Sequence, residues 1–249
     1  MLCGLNACAG QMEPPVGQAG SAIVSHAIWD SLLHKHLNSD GMVNYRGFQQ
    51  DMDQLEAYLK LLSEHPPAKD WPEAAQLAYW INAYNAFTVK VIADNYPLKS
   101  IRELHTLPGI ATIWHKEFFQ IGGKPMSLNY IEHEILRKQF DEPRIHFAIN
   151  CASKSCPVLR NEAYTADKLE AQLTDQARRF LSSPFHNKIS PEKVELSKIF
   201  SWFRKDFTRH GSLIEFLNQY APVKIQEDAK ISYIDYDWSL NEAPVNEIP

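Results

Sequence analysis

Trp80-Ile81-Asn82-Ala83-Tyr84-Asn85-Ala86-Phe87 lies inside the longest helical pattern of the 249-residue chain, Glu73–Asn95. Trp80, Tyr84, Phe87 and Val91 recur at spacings of four, three and four, which puts them on one helix face. Pro72 precedes this pattern and Pro97 stops it, because proline has no N–H with which to continue the ladder. The stretch therefore predicts a long helix in the core. Its two amides, Asn82 and Asn85, break the apolar character. A buried amide left without partners costs about 1–3 kcal/mol. Each must therefore be bonded, either to fix packing or to orient groups in a site.

Upstream, Val24, Ile28, Leu32 and Leu33 give a helical stripe within Ile23–Leu37, and Gln54–Leu62 gives another. Asp40-Gly41 turns the chain between them, and Met42–Tyr45 reads as extended. Downstream, Phe118–Met126 is interrupted by Gly122-Gly123, a hairpin turn. Ser127 or Asn129 can cap a helix over Tyr130–Lys138, with Glu132 placed to close a capping box. Arg144–Asn150 alternates apolar and polar residues, which predicts a strand with one buried face. A helix over Asp167–Leu181, a strand near Val194–Leu196, helices near Phe200–Phe207 and Leu213–Tyr220, and a strand over Ile231–Trp238 complete the expectation. Helices and strands mix without a βαβ rhythm. The expected class is α+β, one domain with helices packed on a mainly antiparallel sheet.

Composition excludes several functions. A formal charge of −5 gives no broad positive field for nucleic acid, and the basic pairs Arg178-Arg179 and Arg204-Lys205 read as solvated helix faces. No apolar run is long enough to span a membrane. G-x-G-x-x-G, G-K-[ST], H-E-x-x-H and G-x-S-x-G patterns are absent, which removes the common nucleotide, zinc-protease and serine-hydrolase readings. No cofactor is expected. Leu5-Asn6-Ala7-Cys8 is similar to a bacterial lipobox and precedes a Gly/Pro-rich tether, so residues 1–21 form a tail and 22–249 the domain. The expectation is an exported protein, periplasmic or anchored to the membrane only through a lipid on Cys8. Too few residues precede Cys8 for a signal peptide, so either the true start lies upstream or these residues are an incidental Cys-bearing tail.

Reactive groups concentrate in His146-Phe147-Ala148-Ile149-Asn150-Cys151-Ala152-Ser153-Lys154-Ser155-Cys156-Pro157. The run Asn150-Cys151-x-Ser153-x-Ser155-Cys156-Pro157 resembles the signature of the DUF547 family, a domain of unknown function. Val43-Asn44-Tyr45, Trp80-Ile81-Asn82-Ala83-Tyr84-Asn85-Ala86 and Ile131-Glu132-His133-x-Ile135-Leu136-Arg137 add to the resemblance, which runs from Ile28 to Tyr220. The resemblance implies no established activity.

Four readings of the cysteines stay open. Cys151 can be a nucleophile, which needs a basic partner because a free thiol is mostly protonated at neutral pH. A regular strand would put His146 on the opposite face from Cys151. His133 is then the partner expected across space, oriented by Glu132, Asn82 or Asn85. These parts would suit a rearranged papain- or transglutaminase-like site acting on amide or ester bonds. Alternatively, Cys151 and Cys156 form a disulfide that staples the loop. A third reading is a redox pair, although Cys-x4-Cys lacks the spacing that most readily lowers a thiol pKa. The fourth is metal ligation by Cys151, Cys156, His146 and His133; paired ligand spacing is absent, so no metal is expected. Arg137 shares a face with His133 and can hold a substrate carboxylate or a neighbouring acid. Ser153 and Ser155 can donate to an oxyanion or cap the loop. The rival to an enzyme is a non-catalytic envelope module binding a peptide, glycan or small molecule, or a scaffold with no pocket.

Overall fold

The computed structural model describes residues 13–105 and 112–244. Helix α4 (Glu73–Asn95) occupies the predicted span, and every side chain from Leu77 to Val89 is buried. A helix that is covered all round is the axis of its domain. Around it pack α2 (Tyr45–Gln50), α3 (Met52–Glu64) and a π-helix, Tyr130–Leu136. Helix α1 (Ala27–His36) adds an outer layer, stacking Trp29 on Tyr58 with ring centroids 5.9 Å apart.

The segment expected to be extended before α2 is short. Val43 makes isolated bridges to Leu37 and Glu242, and Asn44 then caps α2 by accepting the Gly47 N–H at 2.9 Å. Strands β1 (Phe119–Ile121) and β2 (Lys124–Met126) form the predicted hairpin. Gly122 and Gly123 turn it at φ values of 57° and 73°, which glycine adopts without steric cost.

The second half corrects two expectations. Residues 144–150 are not a strand: Ile145–Ala148 form a helical turn, α6, after the single turn α5 (Arg137–Gln139). The apparent alternation has no meaning here because Ile145, His146, Phe147 and Ala148 are all buried. Phe147 sits in an aromatic cluster with Phe180, Phe200, Phe207 and Phe216, so tertiary packing decides the local conformation. Nor do the strands join in one sheet: the hairpin stands apart, although two of the three strand pairings are antiparallel. After α7 (Leu169–Ser182), strands β3 (Lys188–Ile189), β4 (Lys193–Leu196) and β5 (Lys230–Tyr233) form one small mixed sheet. In it β3 and β4 are antiparallel and β4 and β5 parallel. Short turns α8 (Ile199–Trp202), α9 (Arg204–Phe207) and α10 (Leu213–Leu217) lie between β4 and β5. Helix takes 45% of the described residues and strand 10%, so helices supply the scaffold.

Beyond β5 the chain returns across the molecule. Ser153 bridges Leu240, the Lys154 and Ser155 N–H groups donate to Ser239 and Asp237, and the Asn241 N–H donates to the Ala152 carbonyl. This C-terminal strap seats Tyr236 and Trp238 over the cysteine loop. At the other end, Gly17 bridges Ala68 and the Ser21 carbonyl accepts the Trp71 indole N–H at 2.9 Å. Cys8 and its surrounding motif lie outside the described residues. Among the described residues no helix is long and apolar enough to cross a membrane.

Candidate functional site

The cysteine loop is built by amides. Asn85, buried on α4, donates to the Ala148 carbonyl at 2.9 Å and accepts the Asn150 N–H at 2.8 Å. It therefore clamps the chain as it leaves α6. Asn150 accepts the Ala152 N–H at 2.8 Å and donates to the Pro157 carbonyl at 2.8 Å, closing the loop on itself. Asn241 donates to Asn150 at 3.1 Å and accepts the Tyr45 hydroxyl at 2.6 Å. The chain turns at Ala152, whose φ of 62° is unusual for any residue with a Cβ. Residues held in such conformations cluster at functional sites.

Cys151, partly buried, stands just before that turn. Its N–H donates to Cys156 Sγ at 3.0 Å, and its own Sγ lies 3.2 Å from Ser153 Oγ and 3.3 Å from the Tyr236 hydroxyl. Ser153 also donates to Tyr236 at 3.0 Å, which leaves the phenolic proton for the sulfur. Both thiols are free, so the loop is held by hydrogen bonds and not by the disulfide considered above. The adjacent Cys156 thiol, with the Tyr236 hydroxyl and the Ser153 backbone N–H, favours the Cys151 thiolate over the opposing cost of burial, and its pKa is lowered. Burial and the neighbouring Cys151 push the Cys156 thiol well up. Of the pair, Cys151 carries the charge.

Cys151 opens into a cavity of about 310 Å³ whose wall also holds Glu132, His133, His146, Tyr84 and three tryptophans, Trp114, Trp202 and Trp238. Two larger hollows, about 410 and 440 Å³, contain no cysteine in their walls. Glu132 and His133 lie on the π-helix, where an extra residue per turn departs from α-helical register. Such segments recur at functional sites. The Ser127 hydroxyl accepts the Tyr130 N–H at 3.1 Å, Asn129 makes no side-chain cap, and Glu132 closes no capping box. Glu132 instead accepts from the Tyr84 hydroxyl at 3.3 Å. Burial, then the Cys151 charge, raises its carboxyl to about 7.

Residues 68–181 match the DUF547 family model, a protein family of unknown function. That span is narrower than the one over which the motifs are spread. No curated protein and no solved structure matches the chain. The DUF547 stretch contains Asn82, Asn85, Glu132, His133, Arg137, His146 and the whole cysteine loop. It lacks Trp202, Asp206, Tyr236 and Trp238, which complete the cavity and its polar network.

Neither imidazole is hydrogen-bonded to the Cys151 thiol, contrary to expectation. His146 Nε2 faces Asp206 Oδ2 at 2.8 Å, and its ring stacks on Phe203 with centroids 4.0 Å apart. Arg137 grips Asp206 through Nε at 2.6 Å and Nη2 at 3.1 Å, and its Nη1 donates to His133 Nδ1 at 2.5 Å. Arg137 is thus committed within the protein and not free for a substrate carboxylate. A guanidinium has no lone pair to offer, so Nδ1 of His133 must accept and the ring proton sits on Nε2. Burial, then Arg137, lowers His133 to about 4, leaving it a neutral donor at pH 7. Burial also lowers His146 against the pull of Asp206. Burial would raise Asp206, but the His146 and Arg137 hydrogen bonds outweigh it and hold the carboxyl well below its usual range.

Two further residues lie elsewhere. Asn82 exchanges hydrogen bonds with the Tyr164 backbone, donating at 2.8 Å and accepting at 3.0 Å, so it secures the approach to α7. Ser155 pairs with Asp237, accepting its N–H at 2.8 Å, and ties the strap to the loop. No group of three or more His, Cys, Asp or Glu placed to hold a metal ion occurs among the described residues.

Proposed function

We propose that Cys151 is the nucleophile of an acyl-transfer site, acting on an amide or ester bond, with water or a second substrate as acceptor. The observation that carries this reading is the Cys151 sulfur itself. It sits on a cavity wall beside a positive-φ turn, with two hydroxyl groups in contact and a buried carboxyl of raised pKa in the same wall. A thiolate placed in this way is both available and reactive.

The thiolate adds to the substrate carbonyl carbon, forming a C–S bond and moving negative charge to oxygen. His133, held as the Nε2–H tautomer, supplies a neutral donor for that charge. When the intermediate collapses, the bond to nitrogen or oxygen breaks and Glu132 gives its proton to the leaving group. The acceptor then attacks the thioester, its proton goes to the Glu132 carboxylate, and the thiolate returns. A carboxyl with pKa near 7 suits both proton transfers. His146 and Asp206 act through Arg137 as positioning residues for His133.

One observation favours a second reading. No imidazole contacts the thiol, and the cavity is walled by tryptophans, which would suit a non-catalytic module that binds a peptide, glycan or small molecule. Alkylation of Cys151 and Cys156 against pH, read by mass spectrometry on protein purified without reductant, separates the two. Rapid labelling of Cys151 alone, with an apparent pKa below that of a free thiol, supports the nucleophile. Equal, slow labelling of both supports the binding module. Export and a lipid on Cys8 remain part of the proposal; metabolic labelling with a fatty acid, lost in Cys8→Ala, tests them.

A further inference from the structure

The cavity wall is unusual in what it omits. Among the described residues, no lysine or arginine lines it. Two guanidiniums lie behind its rings: Arg137 is bonded to Asp206 and His133 and lies 5.0 Å from the Phe203 centroid, and Arg102 lies 5.4 Å from the Trp238 centroid. The charges that face the cavity are those of Glu132 and Cys151. A substrate phosphate or carboxylate set against Glu132 and Cys151 would meet like charge, and such juxtapositions cost several kcal/mol.

What the wall offers instead is ring surface. Trp202, Tyr236 and Trp238 form a triangle with centroids 4.8, 4.5 and 5.9 Å apart, and Trp114 meets Trp238 edge-on at 5.8 Å. Trp202 is 47% exposed although it belongs to this cluster, so much of its surface is left to solvent beside the reactive sulfur. Exposed tryptophan at a concave wall is a signature of binding surface. Ile149, Pro157 and Ile199 extend the apolar lining. Of the polar groups on the wall, Thr112 and His115 already bond one another at 2.7 Å, and Glu132 and His133 are assigned to the reaction.

From this arrangement we infer that the acyl donor carries an uncharged aryl ring, which packs on Trp202, Tyr236 and Trp238 while its carbonyl faces Cys151. The inference rests on the reading of Cys151 as nucleophile, but the ring site can be tested without turnover. In the reaction it adds no new step: the C–S bond forms at the carbonyl, and the ring serves only for binding.

The test uses two matched series. N-acetylcysteamine thioesters of phenylacetic acid, para-substituted with methyl or carboxylate, together with the acetyl thioester, are assayed for turnover by chromatography with wild-type protein. The corresponding amides are titrated into Cys151→Ala protein by tryptophan fluorescence. The methyl compound is expected to exceed the carboxylate by about 100-fold in kcat/KM and in affinity, the scale of an unpaired like-charge contact. Trp202→Ala should weaken the methyl amide about tenfold, and Trp202→Phe should restore most of the loss. Selective binding by Cys151→Ala without turnover by the wild type would keep the ring site and overturn the nucleophile. Turnover with no preference for ring or charge would keep the nucleophile and overturn the ring site. Neither binding nor turnover of any compound would overturn both.

Discussion

Tyr236 places its hydroxyl 3.3 Å from Cys151 Sγ although the two residues are 85 positions apart in the chain. Ser153 donates to the same hydroxyl, so the phenolic proton is directed at sulfur. A hydrogen bond to a charged partner is worth about 1.5–3 kcal/mol, or about one pKa unit at the lower end. Tyr236→Phe is therefore expected to raise the apparent pKa of Cys151 alkylation by about one unit. Labelling at pH 7 should slow several-fold. An unchanged profile would remove Tyr236 from the activation of the thiol.

Glu132 gives a pH signature in stability as well as in turnover. Its carboxyl is raised from 4.5 to about 7 in the folded protein. Between these values the native state binds more protons than the unfolded state, so this group lowers stability as pH rises through the window and adds no further slope above it. Glu132→Gln removes the slope. Calorimetry should show the variant gaining on wild type from pH 4.5 to pH 7.5, while acyl transfer falls by about 100-fold or more.

The two asparagines of α4 separate packing from site geometry. Each makes two buried hydrogen bonds, and loss of either should cost about 1–3 kcal/mol in denaturant unfolding. Asn85→Ala should also slow Cys151 labelling, because Asn85 sets the path of the loop. Asn82→Ala should leave that rate unchanged once the protein is folded. Equal effects on labelling would mean that the loop senses α4 as a whole.

Asp206 joins His146 to Arg137. Asp206→Ala leaves both partners without their acceptor and should destabilise the protein by about 3 kcal/mol. Arg137 then loses its anchor, and the His133 tautomer it imposes should become mixed in ¹⁵N spectra of the ring. Asp206→Asn, which keeps an acceptor oxygen, should recover part of both.

Local signals in the chain were legible where local physics decides. The span of α4 follows from Pro72, Pro97 and the aromatic spacing, and the hairpin from Gly122-Gly123. The cysteine loop, Glu132 and His133 were visible as clustered reactive residues, and the structure brings them to one cavity. The reading of residues 144–150 failed because burial on every side mimics alternation. Asp206 was hidden beside Arg204-Lys205, a pair that looks like a solvated face, and its partners lie 60 and 69 positions away. Tyr236, Trp238 and Asn241 reach the site through the strap, a long-range contact with no periodic signature.

The strap also divides the labour of the cavity between separable parts of the chain. The thiol and its carboxyl partner lie within the span shared with the family, whereas Trp202, Tyr236 and Trp238 come from outside it. Exchange of residues 199–238 would leave the reacting groups in place and replace the surface that chooses what reaches them. Two chains alike across 68–181 need not therefore accept the same molecule. A fragment ending at 181 would keep the cysteine but lose much of the vessel around it.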